Sequence, residues 1–262
     1  MNLLLYFIVA VIVVYGYSVI YRKYHTYPEA ETLTISETEI IPHLESNRPF
    51  LVARDLGIKE IVSIEILHRQ YGDREIRVLE NFRRLVPSKL PSIKKMRVDA
   101  FINDYIYAAD NSYYFKTEDD YNFLGEIGLY QPVITKFSSY KPSLAFQSLS
   151  LWLGGKGTCT PFHYDSDCVN LLYLIEGAKK LYLIHPKYDS KMRGNRWIQS
   201  GASWSMAEIE TILQDREIEY SETLLKPGQM FNIPRFWWHA VINLEATFAV
   251  TYHYYTLPYF IC

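Results

Sequence analysis

The residues of this 262-residue chain best suited to holding a metal are two histidines and an aspartate. His163 and Asp165 stand two apart in Thr160-Pro161-Phe162-His163-Tyr164-Asp165. In an extended strand such residues share a face. His239 comes much later, closing the run Ile233-Pro234-Arg235-Phe236-Trp237-Trp238-His239. Two imidazoles and one carboxylate on one side of an ion leave the opposite positions open, an arrangement suited to non-haem Fe(II) and its chemistry with O2. A His-x-Asp triplet alone carries little information, because such triplets arise by chance. The order of the pieces and their β context strengthen the reading.

Strands must carry these residues. Leu149–Leu153 reads as extended and ends in the turn Gly154-Gly155-Lys156-Gly157. Val169–Ile175 and Lys180–His185 are apolar strands joined by Glu176-Gly177-Ala178-Lys179, the length of a hairpin. After Pro227-Gly228 come Gln229–Ile233, Trp237–Leu244 and Phe248–Tyr255. Between Pro186 and Leu225 the strand rhythm stops. There Ser205-Met206-Ala207-Glu208 reads as a capping box opening a helix to about Asp215. Upstream, Arg48–Arg54 reads as a strand, Ile58–Tyr71 as a helix, Arg74–Val78 as a strand, Val98–Ala108 as a helix and Ser112–Lys116 as extended. The expected fold class is mainly β: a double-stranded β-helix (jelly-roll) barrel with flanking helices, preceded by one N-terminal transmembrane helix. Adjacent Trp237 and Trp238 must face opposite ways, one toward the core and one over the barrel rim. His185 and His253 read as structural, and Glu118-Asp119-Asp120 as a solvated loop.

Composition bounds the rest. Hydrophobic residues are 49% and charged residues 21%, which suits a packed domain. The net charge of −2 offers no basic excess for a nucleic-acid surface. Cys159, Cys168 and Cys262 are an odd count without zinc or disulfide-framework spacing, so Cys159 and Cys168 read as buried thiols in a reducing compartment. Leu3–Tyr21 carries no charge, has Tyr15, Tyr17 and Tyr21 at one end, and is followed by Arg22 and Lys23. About 20 apolar residues cross a bilayer, so residues 1–23 are expected to form an uncleaved single-pass membrane anchor. The basic pair would keep the following domain cytoplasmic. A cleaved signal peptide and the secretory pathway are the alternative. Residues 24–44 read as a connector and 45–262 as the domain.

Three segments together resemble Jumonji-C domains: Thr160 to Asp165, Ile175-Glu176-Gly177-Ala178-Lys179, and Pro227-Gly228-Gln229 through His239. Jumonji-C domains are Fe(II)- and 2-oxoglutarate-dependent oxygenases of cupin fold. Within them the chain is most similar to the small hydroxylases, including the asparaginyl hydroxylase acting on hypoxia-inducible factor. Arg48-Pro49-Phe50-Leu51-Val52 and Tyr71-Gly72-Asp73 extend the likeness, which covers roughly residues 45 to 255. The resemblance implies Fe(2+) on His163, Asp165 and His239, with O2 and 2-oxoglutarate as co-substrates. It implies Lys179 on the distal carboxylate, helped by the Thr160 hydroxyl and the Tyr114 phenol, and Asn170 near the metal-binding end. The subgroup's second Asn is matched by Tyr252, Gln229 replaces an Asp, and one residue is inserted between Asp165 and Asn170. The implied reaction couples decarboxylation of 2-oxoglutarate to hydroxylation of a C–H bond. A protein or peptide side chain is the expected substrate, and hydroxylation is favoured over demethylation, because no chromatin-reading module accompanies the domain. The rival is a non-catalytic, membrane-anchored cupin-like protein that binds a ligand or partner.

Overall fold

The inner face of a barrel is set by strand alternation, so the order in which strands pair decides which side chains meet. The computed structural model describes residues 2–25, 32–81, 92–117, 123–140, 145–192, 194–199 and 202–256. Its strands are β1 (Leu33–Thr34), β2 (Phe50–Ala53), β3 (Glu75–Glu80), β4 (Ile93–Arg97), β5 (Tyr113–Lys116), β6 (Ala145–Gly154), β7 (Cys159–Tyr164) and β8 (Val169–Glu176). They continue as β9 (Lys179–Ile184), β10 (Gly194–Gln199), β11 (Ala202–Ser205), β12 (Tyr220–Leu225), β13 (Gln229–Asn232), β14 (Trp238–Asn243) and β15 (Thr247–Thr256). One sheet runs β1-β2-β13-β8-β15-β6-β5-β3-β4 and the other β10-β11-β7-β14-β9-β12. From β6 to β9 the chain changes sheet at every strand, and it does so again from β12 to β15. That alternation is a jelly roll.

Three apolar layers hold the two sheets. Leu172, Leu174, Leu181, Leu183, Phe231, Trp237, Val241 and Ala249 pack between them. The outer face of the larger sheet packs on the helical elements through Phe101, Val133, Phe137, Leu171 and Tyr252, among others. The outer face of the smaller sheet is covered by Met192, Ile209, Ile212 and Ile218 against Phe162, Ile184 and Trp238. Trp237 and Trp238 do face opposite ways, but both are fully buried, in different layers. The near-continuous apolar run of β8 follows from burial on both faces.

Several sequence expectations are corrected. Glu176–Lys179 does not close a hairpin, because β8 and β9 lie in different sheets. The connection is a barrel corner, in which Gly177 has φ 82° and a Cβ would lie 2.1 Å from the Ala246 carbonyl oxygen. Ser205 does not open a helix: its hydroxyl donates to the Met192 carbonyl, and the helix begins at Ile209. The stretch without strand rhythm holds β10, β11 and β12: β10 pairs with the adjacent β11, while β11 and β12 join the distant β7 and β9. The helix expected over 58–71 is confined to Ile64–Tyr71, capped by the Ser63 hydroxyl. Within the expected connector, β1 pairs with β2, and Ile40 and Leu44 of the helix Ile40–Glu45 enter the core. Cys159 is a buried thiol outside any disulfide, but Cys168 is disulfide-bonded.

The N-terminal helix α1 (Asn2–His25) is present, yet among the described residues no helix is long and apolar enough to cross a membrane. The expected span is not found among these residues.

The corner at Gly177 yields a stability prediction. Gly177→Ala should destabilise the fold by about 2–4 kcal/mol, since the new Cβ meets backbone in a left-handed conformation. Urea denaturation monitored by fluorescence would show no shift of midpoint if the corner were relaxed.

Candidate active site

β7 and β14 are neighbours in the smaller sheet, and His163 lies directly across from His239. The next pairing is Val241 with Thr160, so β7 carries one extra residue between the two pairs. This irregularity has a consequence for facing. Thr160 and His163 are three apart and would face opposite sides of a regular strand, whereas here both pair with inward positions of β14. Asp165 follows β7 directly, and its backbone carbonyl accepts from the Phe236 amide at 2.9 Å. Phe236 has φ 67° without being glycine, so the turn before His239 is held in a costly conformation while it grips the Asp165 backbone.

The three side chains converge. Ligand atoms of His163, Asp165 and His239 all lie within 4.8 Å of one another. His163 Nε2 is 3.8 Å from Asp165 Oδ1, and His239 Nε2 is 3.5 Å from Asp165 Oδ2. Each histidine places Nδ1 on a backbone carbonyl, Pro161 at 2.8 Å and Trp237 at 3.0 Å. A carbonyl can only accept, so both Nδ1 atoms donate, and in a neutral imidazole that leaves the lone pair on Nε2, which faces the carboxylate in both rings. Burial, reinforced by the neighbouring His163, lowers the His239 pKa to about 4. The imidazole is therefore neutral at ordinary pH, as a metal ligand must be. These donors fit a divalent metal of the iron type.

Outer contacts fix the triad. Asn170 Nδ2 donates to Asp165 Oδ2 at 2.8 Å, while Asn170 Oδ1 is buried without a partner. Trp204 of β11 stacks on the His163 ring, centroids 4.3 Å apart and planes 13° apart. His253, across from Asn170 in the sheet, holds Asp167 at 2.9 Å.

A second group lines a cavity at the other end of the barrel interior: Tyr114, Trp152, Thr158, Thr160, Lys179 and Asn243, with Leu153, Gly154, Cys159 and Val241. Lys179 points inward and is 6% exposed. Its partner is Asn243, with Nζ donating to Oδ1 at 2.8 Å, rather than Thr160. Burial pushes its pKa down to about 7. Lys180 points outward to Glu222 at 2.8 Å. Among the described residues no acidic side chain lines the cavity, and Trp152 Nε1 and Thr158 Oγ1 are buried there without partners. Tyr114 stacks parallel to Trp152 at 6.3 Å. A cavity with a lone cation and spare hydrogen-bonding atoms fits an anionic ligand. Tyr252, by contrast, stacks on Phe137 in the outer core and faces away from both groups. The adjacent His253 takes the inward position, across from Asn170.

This fold and triad define a class. The chain belongs to the cupin-like domain family, whose profile matches residues 62–259. It is similar to HSPB1-associated protein 1 of Homo sapiens, 29% identical over 145 residues, which is 52% of this chain and 28% of that protein. It is similar also to JmjC domain-containing protein D of Dictyostelium discoideum, 24% identical over 180 residues (60% and 39%). Lysine-specific demethylase JMJ30 of Arabidopsis thaliana is 30% identical over 114 residues (40% and 25%). The chain thus covers no more than 39% of the length of these relatives. A Jumonji-C/cupin-like domain bearing a His-Asp-His triad is consistent with the Fe(II)/2-oxoglutarate oxygenase family.

Sequence reasoning missed Asn243 and Trp204. Asn243 was within reach of the alternation rule, being four residues beyond His239 on the same face. Trp204 had no local signal, because its place is decided by β11 pairing with β7. The site predicts that Asp165→Ala abolishes Fe(II) binding, while Asn170→Ala weakens it about 10–100-fold by freeing the carboxylate. Anaerobic titration with Co(II), followed by visible absorption, would contradict the triad if Asp165→Ala protein still bound one equivalent.

Proposed function

We propose that the protein is an Fe(II)- and 2-oxoglutarate-dependent dioxygenase that hydroxylates a C–H bond of a protein or peptide side chain. One observation carries the reading: the inner face of β14 bears a histidine of the triad at one end and, four residues on, the partner of a buried lysine that has no acidic neighbour in its cavity among the described residues. At about 3.3 Å per strand residue these positions are about 13 Å apart, a gap bridged by a lysine side chain and a short dicarboxylate. Bound iron would supply the activation of O2 that no side chain can. The chain's own part is to orient the ligands through Pro161, Trp237 and Asn170, and to offer Lys179 to the distal carboxylate. Trp152, Thr158, Thr160 and Tyr114 offer further hydrogen-bonding groups. A protein substrate is supported by the relative named for its association with HSPB1, and the likeness to the small hydroxylases favours hydroxylation.

Full-length protein reconstituted with Fe(II) without oxygen, then exposed to O2 and 2-oxoglutarate, should release succinate, faster with a peptide that is a substrate. Binding of both metal and 2-oxoglutarate with no succinate would leave a binding module instead. The lysine adds a pH signature. Below about pH 7 the Lys179 ammonium is charged and ready for an anion. Above it a proton must be taken up on binding, so affinity should fall by up to tenfold per pH unit. Lys179→Met should weaken binding and remove that slope.

Location is proposed on separate grounds. The described side chains Leu4 to Val14 are exposed around the whole of α1, and such a surface is costly in water. We propose that α1 attaches the protein to a membrane. Arg22 and Lys23 favour a cytoplasmic domain, but the Cys168 disulfide is of the kind that oxidising compartments sustain, which favours the secretory alternative. Full-length protein should sediment with membranes after alkaline carbonate, and its domain should resist protease in sealed vesicles. Recovery in the soluble fraction would refute the attachment, and digestion would refute the topology.

A further inference from the structure

The lysine of the cavity is held by a single side chain whose orientation is chemically determined. Asn243 Nδ2 donates to the Gly154 carbonyl at 3.1 Å and to the Gly155 carbonyl at 3.3 Å. Its Oδ1 accepts from Lys179 Nζ at 2.8 Å. A flipped amide would set donor against ammonium and oxygen against two carbonyls, so only one orientation survives. The backbone of Asn243 is also engaged: its amide donates to the Thr158 carbonyl at 2.9 Å, and its carbonyl accepts from Gly157 at 2.8 Å. Gly154 leaves the room, since a Cβ there would approach Asn243 Nδ2 to 3.0 Å. Asn243 thus ties the glycine turn, β14 and the lysine of β9 into one unit.

The neutrality of this residue matters as much as its reach. An aspartate at the same place would sit at ion-pairing distance from Lys179 and compensate its charge from within. An asparagine holds the ammonium still and leaves its charge uncompensated, because among the described residues no acidic side chain lines the cavity. We propose that Asn243 is a positioning and specificity-determining residue: by fixing Lys179 through a neutral oxygen, it makes the cavity select a 2-oxo acid with a distal carboxylate over one without. This inference rests on the oxygenase reading above and assigns the residue on which its co-substrate preference depends.

The test compares 2-oxoglutarate with 2-oxopentanoate, which has the same chain length and no distal carboxylate. Both are titrated calorimetrically into the full-length, Mn(II)-loaded protein without oxygen. The wild type should prefer 2-oxoglutarate by about a hundredfold, the worth of one hydrogen bond to a charged group. Asn243→Asp should cut that preference at least about tenfold, because Lys179 then carries an internal counter-ion. Asn243→Ala, which removes the tie but adds no charge, should keep more of the preference than Asn243→Asp while binding both acids less tightly. If Asn243 were only a structural tie, both acids would weaken in proportion and the ratio would stay at the wild-type value in Asn243→Asp, which overturns this inference alone. A wild type that binds neither acid, or does not discriminate, overturns the oxygenase reading as well.

Discussion

Two imidazoles on neighbouring strands can share an ion only if they face the same way at the same height, and the pairing of β7 with β14 meets that demand. His163 and His239 are direct cross-strand partners, their ring centroids 4.0 Å apart. The rest of the site is arranged around this pair. The extra residue in β7 brings Thr160 onto the inner side, and the left-handed turn at Phe236 grips the Asp165 backbone. β11 adds Trp204 over one ring. A slip of one residue in either strand would send that strand's side chains to the opposite face and break up the pair.

Electrostatics divides the interior into two ends. At the metal end, two imidazoles and a hydrogen-bonded carboxylate surround a place for a cation. At the other end an ammonium waits in an uncharged cavity. A Lys179 pKa of about 7 instead of 10.5 corresponds to about 5 kcal/mol against the charged form. In the ligand-free protein that cost is fully felt below about pH 7 and fades as pH rises toward 10.5, because the unfolded chain retains its proton over that window. Folding therefore sustains a strained charge that a dicarboxylate would relieve.

The apolar layers explain why such a site can be kept. Residues of β14 serve two layers in alternation, Trp238 and Ala240 outward to the smaller sheet's cover and Val241 inward, where Trp237 just before the strand also packs. The aromatic-rich run that precedes His239 is thus the packing that positions it. Gly177 performs the same service for Lys179, turning the chain from one sheet to the other just before the lysine enters the cavity.

By itself the sequence determined the pieces whose signal is local. His-x-Asp on a strand, the Gly-x-Lys spacing and the alternating apolar runs were all legible from residues within a few positions of one another. So was the jelly-roll class, which needs only short strands with tight turns. Tertiary structure alone decided what depended on distant partners: the change of sheet at Gly177, the hidden strands between Pro186 and Leu225, and Trp204 over His163. It also decided that Tyr252 packs outward while His253 faces in, and that Asn243, not Thr160, holds Lys179. The reason is physical. Periodicity reports which way a side chain leans from its own strand, but not which strand lies beside it. In a barrel whose neighbours come from far along the chain, that second fact makes the site.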